Sequence, residues 1–146
     1  DLKPNTIMTN LLFITTLLIG LVGCNLADDA DYIEISDEMC GCFNEATAGL
    51  SEEGRDVIIE AGKNDVNFEI ALTEYAQNEP IKGMQDNLVL MNLGNQGFMD
   101  CMTDIEEKYD EVYTTDSEDE ILQKVMKIMQ KNKSCDLTYA IMKTNL

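Results

Sequence analysis

Two long stripes of apolar residues at helical spacing constrain the fold of this chain more than any other feature. Alternating steps of four and three place such residues on one face of a helix, and no strand-like alternation of apolar and polar residues follows residue 30. The stripes are Met84, Leu88, Met91, Asn95, Phe98, Met102, Ile105 and Tyr109, then Ile121, Val125, Ile128, Asn132, Cys135, Tyr139 and Met142. We expect an all-α domain over residues 32–146, with both stripes as core seams rather than a binding surface.

Capping patterns predict where helices begin. Asp31 with Glu34, and Ser117 with Glu120, have the spacing of a capping box, and the second box follows an acidic loop at 110–116. The first helix should end near Gly49. Its predicted buried face is Tyr32, Ile35, Met39, Cys42, Phe43, Ala46 and Leu50.

A second helical segment begins at Ser51 and is closed by Pro80. Gly62 and Asn64 indicate a break, so the segment is either one kinked helix or two short ones. Together with the two stripes, these segments predict a small antiparallel bundle of four to five helices.

An apolar segment near the start of the chain has the length of a secretory signal. Residues 11–22 are apolar or small, and they are too few for a permanent membrane-spanning helix. They end in Leu21-Val22-Gly23-Cys24, which resembles the lipobox of bacterial lipoproteins. The resemblance implies that residues 1–23 are a signal peptide and that Cys24 becomes the lipidated N-terminus. Each acyl methylene buried in a bilayer then contributes about 0.8 kcal/mol of membrane binding.

Residues 24–31 follow as a short acidic tether. Asn25 differs from the Asp that retains lipoproteins in the inner membrane of enteric bacteria, so the resemblance implies the outer membrane. The acidic residues also resemble an export signal to the cell surface, and they are equally explained as a solvated linker. We therefore expect an anchor in the outer membrane, on its periplasmic or cell-surface side, with the lipid bilayer as the partner of acylated Cys24.

Charge and composition exclude several function classes. The chain has 28 acidic and 10 basic residues, for a formal charge of -18, whereas a nucleic-acid partner requires a basic surface. It has no histidine, which excludes a Ser-His-Asp triad, a Cys-His pair and a histidine-ligated metal. The acidic residues 116–120 lack the glycine and the later glutamate of an EF-hand. We expect no cofactor and no metal.

Four cysteines remain in the mature domain: Cys40, Cys42, Cys101 and Cys135. An even number in an oxidising compartment predicts two disulfides. Cys40 and Cys42 are two residues apart, so on a helix they point about 200° from each other and should bond to different partners. We favour Cys42 with Cys101 and Cys40 with Cys135, and the exchanged pairing is the alternative.

The cysteine spacing carries a second resemblance. A Cys-x-Cys in the first helix, single cysteines later and the acidic segment 101–109 are similar to small, uncharacterised helical lipoproteins of Gram-negative bacteria. The likeness implies fold and location, and no activity. The sequence therefore predicts a lipid-anchored envelope protein with a non-enzymatic binding or assembly domain for an unknown protein partner. The alternative is a thiol–disulfide exchange protein using Cys40 and Cys42, which the acidic flanks Asp37, Glu38 and Glu45 disfavour.

Overall fold

The computed structural model describes residues 29–144, and within this range all regular secondary structure is helical. The elements are α1 (Asp29–Ala46), α2 (Glu52–Lys63), α3 (Phe68–Asn78), α4 (Pro80–Met91), α5 (Gln96–Lys108), α6 (Asp110–Thr115), α7 (Glu118–Met129), a 3-10 helix (Lys133–Cys135) and α8 (Asp136–Lys143). The all-α prediction is confirmed. The predicted count of four to five helices is wrong, because the described part alone has eight α-helices. The antiparallel arrangement stays a prediction.

Helix α1 lies at the centre of the packing, with α5, α7 and α8 against it. One cluster of buried side chains joins α1 to the helices from α5 to α7 and includes Ile35, Ile105 and Val125. A second cluster joins the end of α1 to α2, α3 and α8 and includes Phe43 and Ile58. Five of the seven residues predicted for the inner face of α1 are among its buried residues, so the helical periodicity identified that face correctly.

The predicted caps have different outcomes. Ser51 caps α2, accepting a hydrogen bond from the Gly54 N–H at 3.0 Å. Ser117 and Glu120 form the predicted reciprocal capping box at the start of α7. Asp31 is not a cap, because α1 is already helical from Asp29 and the acidic side chains there lie in its first turn. The last three residues of the predicted tether therefore belong to the helix.

The segment from Ser51 to Pro80 contains two separate helices, which settles the alternative left open by the sequence. Asp65 has a φ of 55° and lies in the connection between the end of α2 at Lys63 and the start of α3 at Phe68. Pro80 then occupies the first turn of α4, where its missing N–H leaves no intrahelical bond unmade. The proline thus begins the next helix as well as following the end of α3.

The first long stripe is interrupted, contrary to the sequence prediction. Helix α4 ends at Met91, Gly94 takes a φ of 90°, and Asn95 caps α5 by accepting from the Phe98 N–H at 2.9 Å. Ile105 and Tyr109, in the second half of the stripe, are buried. Met84, Leu88 and Met91 in the first half are exposed, because α4 packs against α2 and α3 through its other side, which carries Gly83 and Asp86.

The second stripe is also divided, between α7 and α8 by a 3-10 turn. The expected acidic loop at 110–116 is mostly the short helix α6, since Val112 is buried and holds this acidic stretch against the core. The predicted signal peptide 1–23, Cys24 and residues 25–28 of the tether lie outside the described residues.

Candidate functional site

The cysteines at 40, 42, 101 and 135 lie in two bonded pairs. Cys40 is joined to Cys135 with their Cα atoms 5.3 Å apart, and Cys42 to Cys101 with their Cα atoms 6.0 Å apart. These are the pairings favoured from the sequence. The first bond fastens α1 to the 3-10 turn before α8, and the second fastens α1 to α5. The two disulfides therefore hold both halves of the domain to its central helix.

The Cys-Gly-Cys segment carries no free thiol in this arrangement, because each sulfur is bonded to a different element. The carboxylates beside it are engaged in contacts of their own. Asp37 accepts a hydrogen bond from the Asn132 amide at 3.0 Å, and Glu38 is paired with Lys108. The hydrogen bond from Lys108 holds the pKa of Glu38 below its usual range. An ionised Glu38 opposes formation of a thiolate nearby, which a redox cysteine would need.

A polar cluster joins the start of α1 to the segment between α6 and α7. The Tyr32 hydroxyl donates to Asp116, and the Lys124 ammonium donates to the Tyr32 oxygen at 2.9 Å and to Asp116 at 2.8 Å. The Lys124 and Tyr32 hydrogen bonds lower the pKa of Asp116, while burial raises the pKa of Tyr32. Tyr32 therefore stays protonated as a donor, and the cluster is a structural tie.

An exposed apolar row on α4 is the candidate binding site. It consists of Ile81, Met84, Leu88 and Met91, which we call the docking face. Their exposed fractions are 72, 60, 54 and 80 %, and their steps of three, four and three put them on one side of the helix. A contiguous row of large exposed side chains of this kind is typical of an interaction surface.

Contacts on the opposite side of α4 fix its orientation. The buried Asp86 carboxylate accepts hydrogen bonds from the Ser51 backbone N–H at 2.7 Å and from the Ser51 hydroxyl at 2.6 Å. At Gly83, a Cβ atom would lie 2.5 Å from the Cα of Ala76, so only glycine allows α3 and α4 to approach this closely. The side of α4 that carries Gly83 and Asp86 therefore packs against α2 and α3. The docking face lies on the opposite side of the helix.

The sequence analysis missed the docking face, assigning Met84, Leu88 and Met91 to the core. A compositional signal was present, since between Gly83 and Met99 the only charged residue is Asp86, although charged residues make up 26 % of the chain. Asp86 is itself buried, so the exposed surface of this segment is apolar or uncharged. Depletion of charge and enrichment in methionine are typical of the centre of a protein interface.

Two adjoining cavities form a second feature, which we call the apolar trough. One has a volume of about 490 Å³ and includes Phe43, Phe98 and Met142 in its wall, and the other has a volume of about 390 Å³. The two cavities share Leu93 and Ile141, so they adjoin at these two side chains, beside the connection between α4 and α5.

The described residues contain no group of three histidine, cysteine, aspartate or glutamate side chains placed to hold a metal ion. Within residues 29–144, no helix combines the length and hydrophobicity that a membrane span requires. Cys24, the predicted lipidation site, lies outside this range.

Comparisons with known proteins add no relative. No protein-family model matches the chain, and neither the curated proteins nor the solved structures contain a match. A function for this domain is therefore inferred from its sequence pattern and its geometry.

Proposed function

We propose that this chain is a lipid-anchored cell-envelope protein whose helical domain binds a partner protein through the docking face. The anchor is supported by the apolar residues 11–22 and the lipobox-like Leu21-Val22-Gly23-Cys24 that ends them. Binding is supported by one observation above all, the exposed row of four large apolar side chains on α4. The role proposed is binding or assembly, and the alternative of thiol–disulfide exchange is disfavoured because Cys40 and Cys42 are each bonded to a different element.

The docking face suits a partner that offers an apolar groove. Side chains at steps of three and four on one helix are the usual anchors of a helix bound in a groove. Complete burial of one large apolar side chain contributes about 1.5–3 kcal/mol, so covering the exposed parts of these four side chains supplies a useful part of a binding free energy. The orientation of α4 is already fixed by Asp86 and Gly83, so little ordering cost is added on binding.

Charge selects the kind of partner. A second copy of this chain would bring together two bodies with formal charges of -18, which repel each other. Exposed carboxylates lie at Glu74 in α3 and at Glu79, the residue before α4, and the lysine of α4, Lys82, is paired with Glu53. We infer that the partner is a different protein, whose apolar groove has a neutral or basic rim, and that high salt slows their association.

The lipid anchor is tested by feeding radiolabelled palmitate to a Gram-negative host that expresses the full chain. We expect label on the protein, loss of that label in Cys24→Ser, and release of this variant from the outer-membrane fraction. The matched control is Gly41→Ala, a substitution with open space around it that leaves the fold intact and keeps the label. A wild-type chain without label would refute the anchor.

The docking face is tested by photo-crosslinking in the same cells. A photoreactive residue at Leu88 should give one dominant adduct, and the same residue at Ile33, which is 48 % exposed on α1, should not. Met84→Glu should abolish the adduct because it places a charge in an apolar contact. The absence of an adduct at Leu88, equal adducts at both positions, or an adduct with the mass of two copies of this chain would contradict the proposal.

A further inference from the structure

We propose that the apolar trough binds a single-chain amphiphile with a cationic head group, at a site that meets the docking face only at Met91. The combined volume of its two cavities, about 490 and 390 Å³, lies within the range of small-molecule sites, and the larger cavity is lined mainly by apolar side chains. An elongated apolar molecule fits this shape better than a compact polar one.

The tail is placed by the aromatic end of the trough. Phe43 and Phe98 meet edge to face with their ring centroids 4.9 Å apart, and both line the larger cavity. Phe43 is buried and belongs to the second core cluster, so this end of the trough has a fixed apolar wall. An alkyl chain lying here would continue past Leu93, which both cavities share.

The head group is placed by the polar residues of the smaller cavity. Glu69, Thr73 and Asn87 line it, and Glu69 is the one charged residue in the wall of either cavity. The Glu69 carboxylate makes no ion pair within residues 29–144. It is therefore available to a cation, such as a quaternary or primary ammonium group.

The charge of the whole chain adds to this preference. At a formal charge of -18 the domain repels carboxylate and phosphate heads and attracts cations. The same alkyl tail should therefore bind more tightly on an ammonium head than on a carboxylate head. This order distinguishes a specific amphiphile site from a general apolar surface, which would rank ligands by tail alone.

The test uses the full chain with Cys24→Ser, which has no acyl group of its own, and compares decyltrimethylammonium with decanoate below their micelle concentrations. Methionine and leucine methyl signals are followed by NMR as each ligand is added. We expect saturable shifts at Met142 and Leu93, and an affinity for the ammonium at least about fivefold higher than for the carboxylate. Leu93→Asn should weaken both by about tenfold, because it makes the shared wall polar.

Glu69→Gln should lower the affinity for decyltrimethylammonium by about two- to fivefold and leave decanoate equal or slightly tighter. Glu74→Gln, on the same helix and outside the trough, is the matched control and should change neither. Equal affinities for the two heads, or shifts confined to Met84 and Leu88 of the docking face, would overturn the proposal. Shifts that grow with protein concentration in the absence of amphiphile would show that a second copy covers the trough, which also overturns it.

Discussion

Removing either disulfide should destabilise the domain by an amount that can be calculated from the loops it closes. The Cys40–Cys135 bond spans 95 residues and the Cys42–Cys101 bond spans 59. In the chain-entropy model these loops correspond to about 4.7 and 4.2 kcal/mol at 25 °C. Since a domain of this size is stable by about 5–15 kcal/mol, replacing either pair with alanine should bring it close to unfolding.

The two losses should be similar but not equal. Cys40 and Cys135 are 3 % and 0 % exposed, whereas Cys101 is only partly buried beside an open cavity of about 260 Å³. Alanine at the fully buried pair leaves a gap that the surrounding core cannot fill, which adds about 1 kcal/mol to the loss. We therefore expect the Cys40–Cys135 double variant to be the less stable of the two.

The assay is urea unfolding followed by far-ultraviolet circular dichroism, in a Cys24→Ser background so that no other sulfur interferes. Crossed double variants provide the control. Removing Cys42 and Cys101 together should leave no free thiol, whereas removing Cys42 and Cys135 together should leave two, because their partners Cys40 and Cys101 cannot bond to each other without moving helices. A loss below about 2 kcal/mol for either native pair, or a crossed variant without free thiols, would refute the reasoning.

Two further predictions concern single residues. The hydrogen bonds that depress the pKa of Asp116 stabilise the fold above the ordinary aspartate pKa of about 4, and this stabilisation is lost as the pH falls through the depressed value. Asp116→Asn should therefore melt at a lower temperature than wild type near neutral pH, and the two melting temperatures should converge in acid. The control Asp104→Asn, at an exposed position on α5, should melt with wild type at every pH. A difference between Asp116→Asn and wild type that persists in acid would contradict this prediction. Gly62→Ala should cost about 1–3 kcal/mol, because its Cβ would lie 2.5 Å from that of Ala140, whereas Gly41→Ala, with open space around it, should gain about 0.5–1 kcal/mol in the same denaturant titration. Similar effects of the two glycine changes would exclude the close packing of α2 and α8.

Local signals in the sequence identified the ends of several helices. The capping residues Ser51 and Ser117 accept hydrogen bonds from backbone N–H groups three residues later. Because this interaction is local, its sequence pattern does not depend on the tertiary fold. The inner face of α1 was likewise predictable, since a helix buried on one side must repeat its apolar residues every three to four positions. The opposed directions of Cys40 and Cys42 on that helix predicted that they bond to different partners, but they did not decide between the favoured pairing and its exchange.

The breaks inside the long stripes were not predictable from periodicity. A turn such as the one around Gly94 can restart a helix with its apolar residues in the same numerical phase, so the steps of four and three continue through it. In the sequence, such a glycine indicates only a loss of helix stability of about 1 kcal/mol relative to alanine, and tertiary contacts outweigh a loss of this size. Asp86 shows the missing information, because its burial against Ser51 depends on a contact between residues 35 positions apart.

An apolar stripe on a helix can face either the protein's own core or a partner protein. Both require the same side chains at the same spacing, so the residues of the stripe do not distinguish the two cases. The polar side of the helix distinguishes the two cases. A helix that faces its own core in this chain still exposes carboxylates to water, as α1 does with Asp37 and Glu45. In α4 the sole carboxylate is turned inward, the one lysine, Lys82, is paired with Glu53, and Met84, Leu88 and uncharged neighbours make up the rest of the outer side. In a chain with a formal charge of -18, a surface segment without charge is the compositional feature that indicates where a second molecule binds.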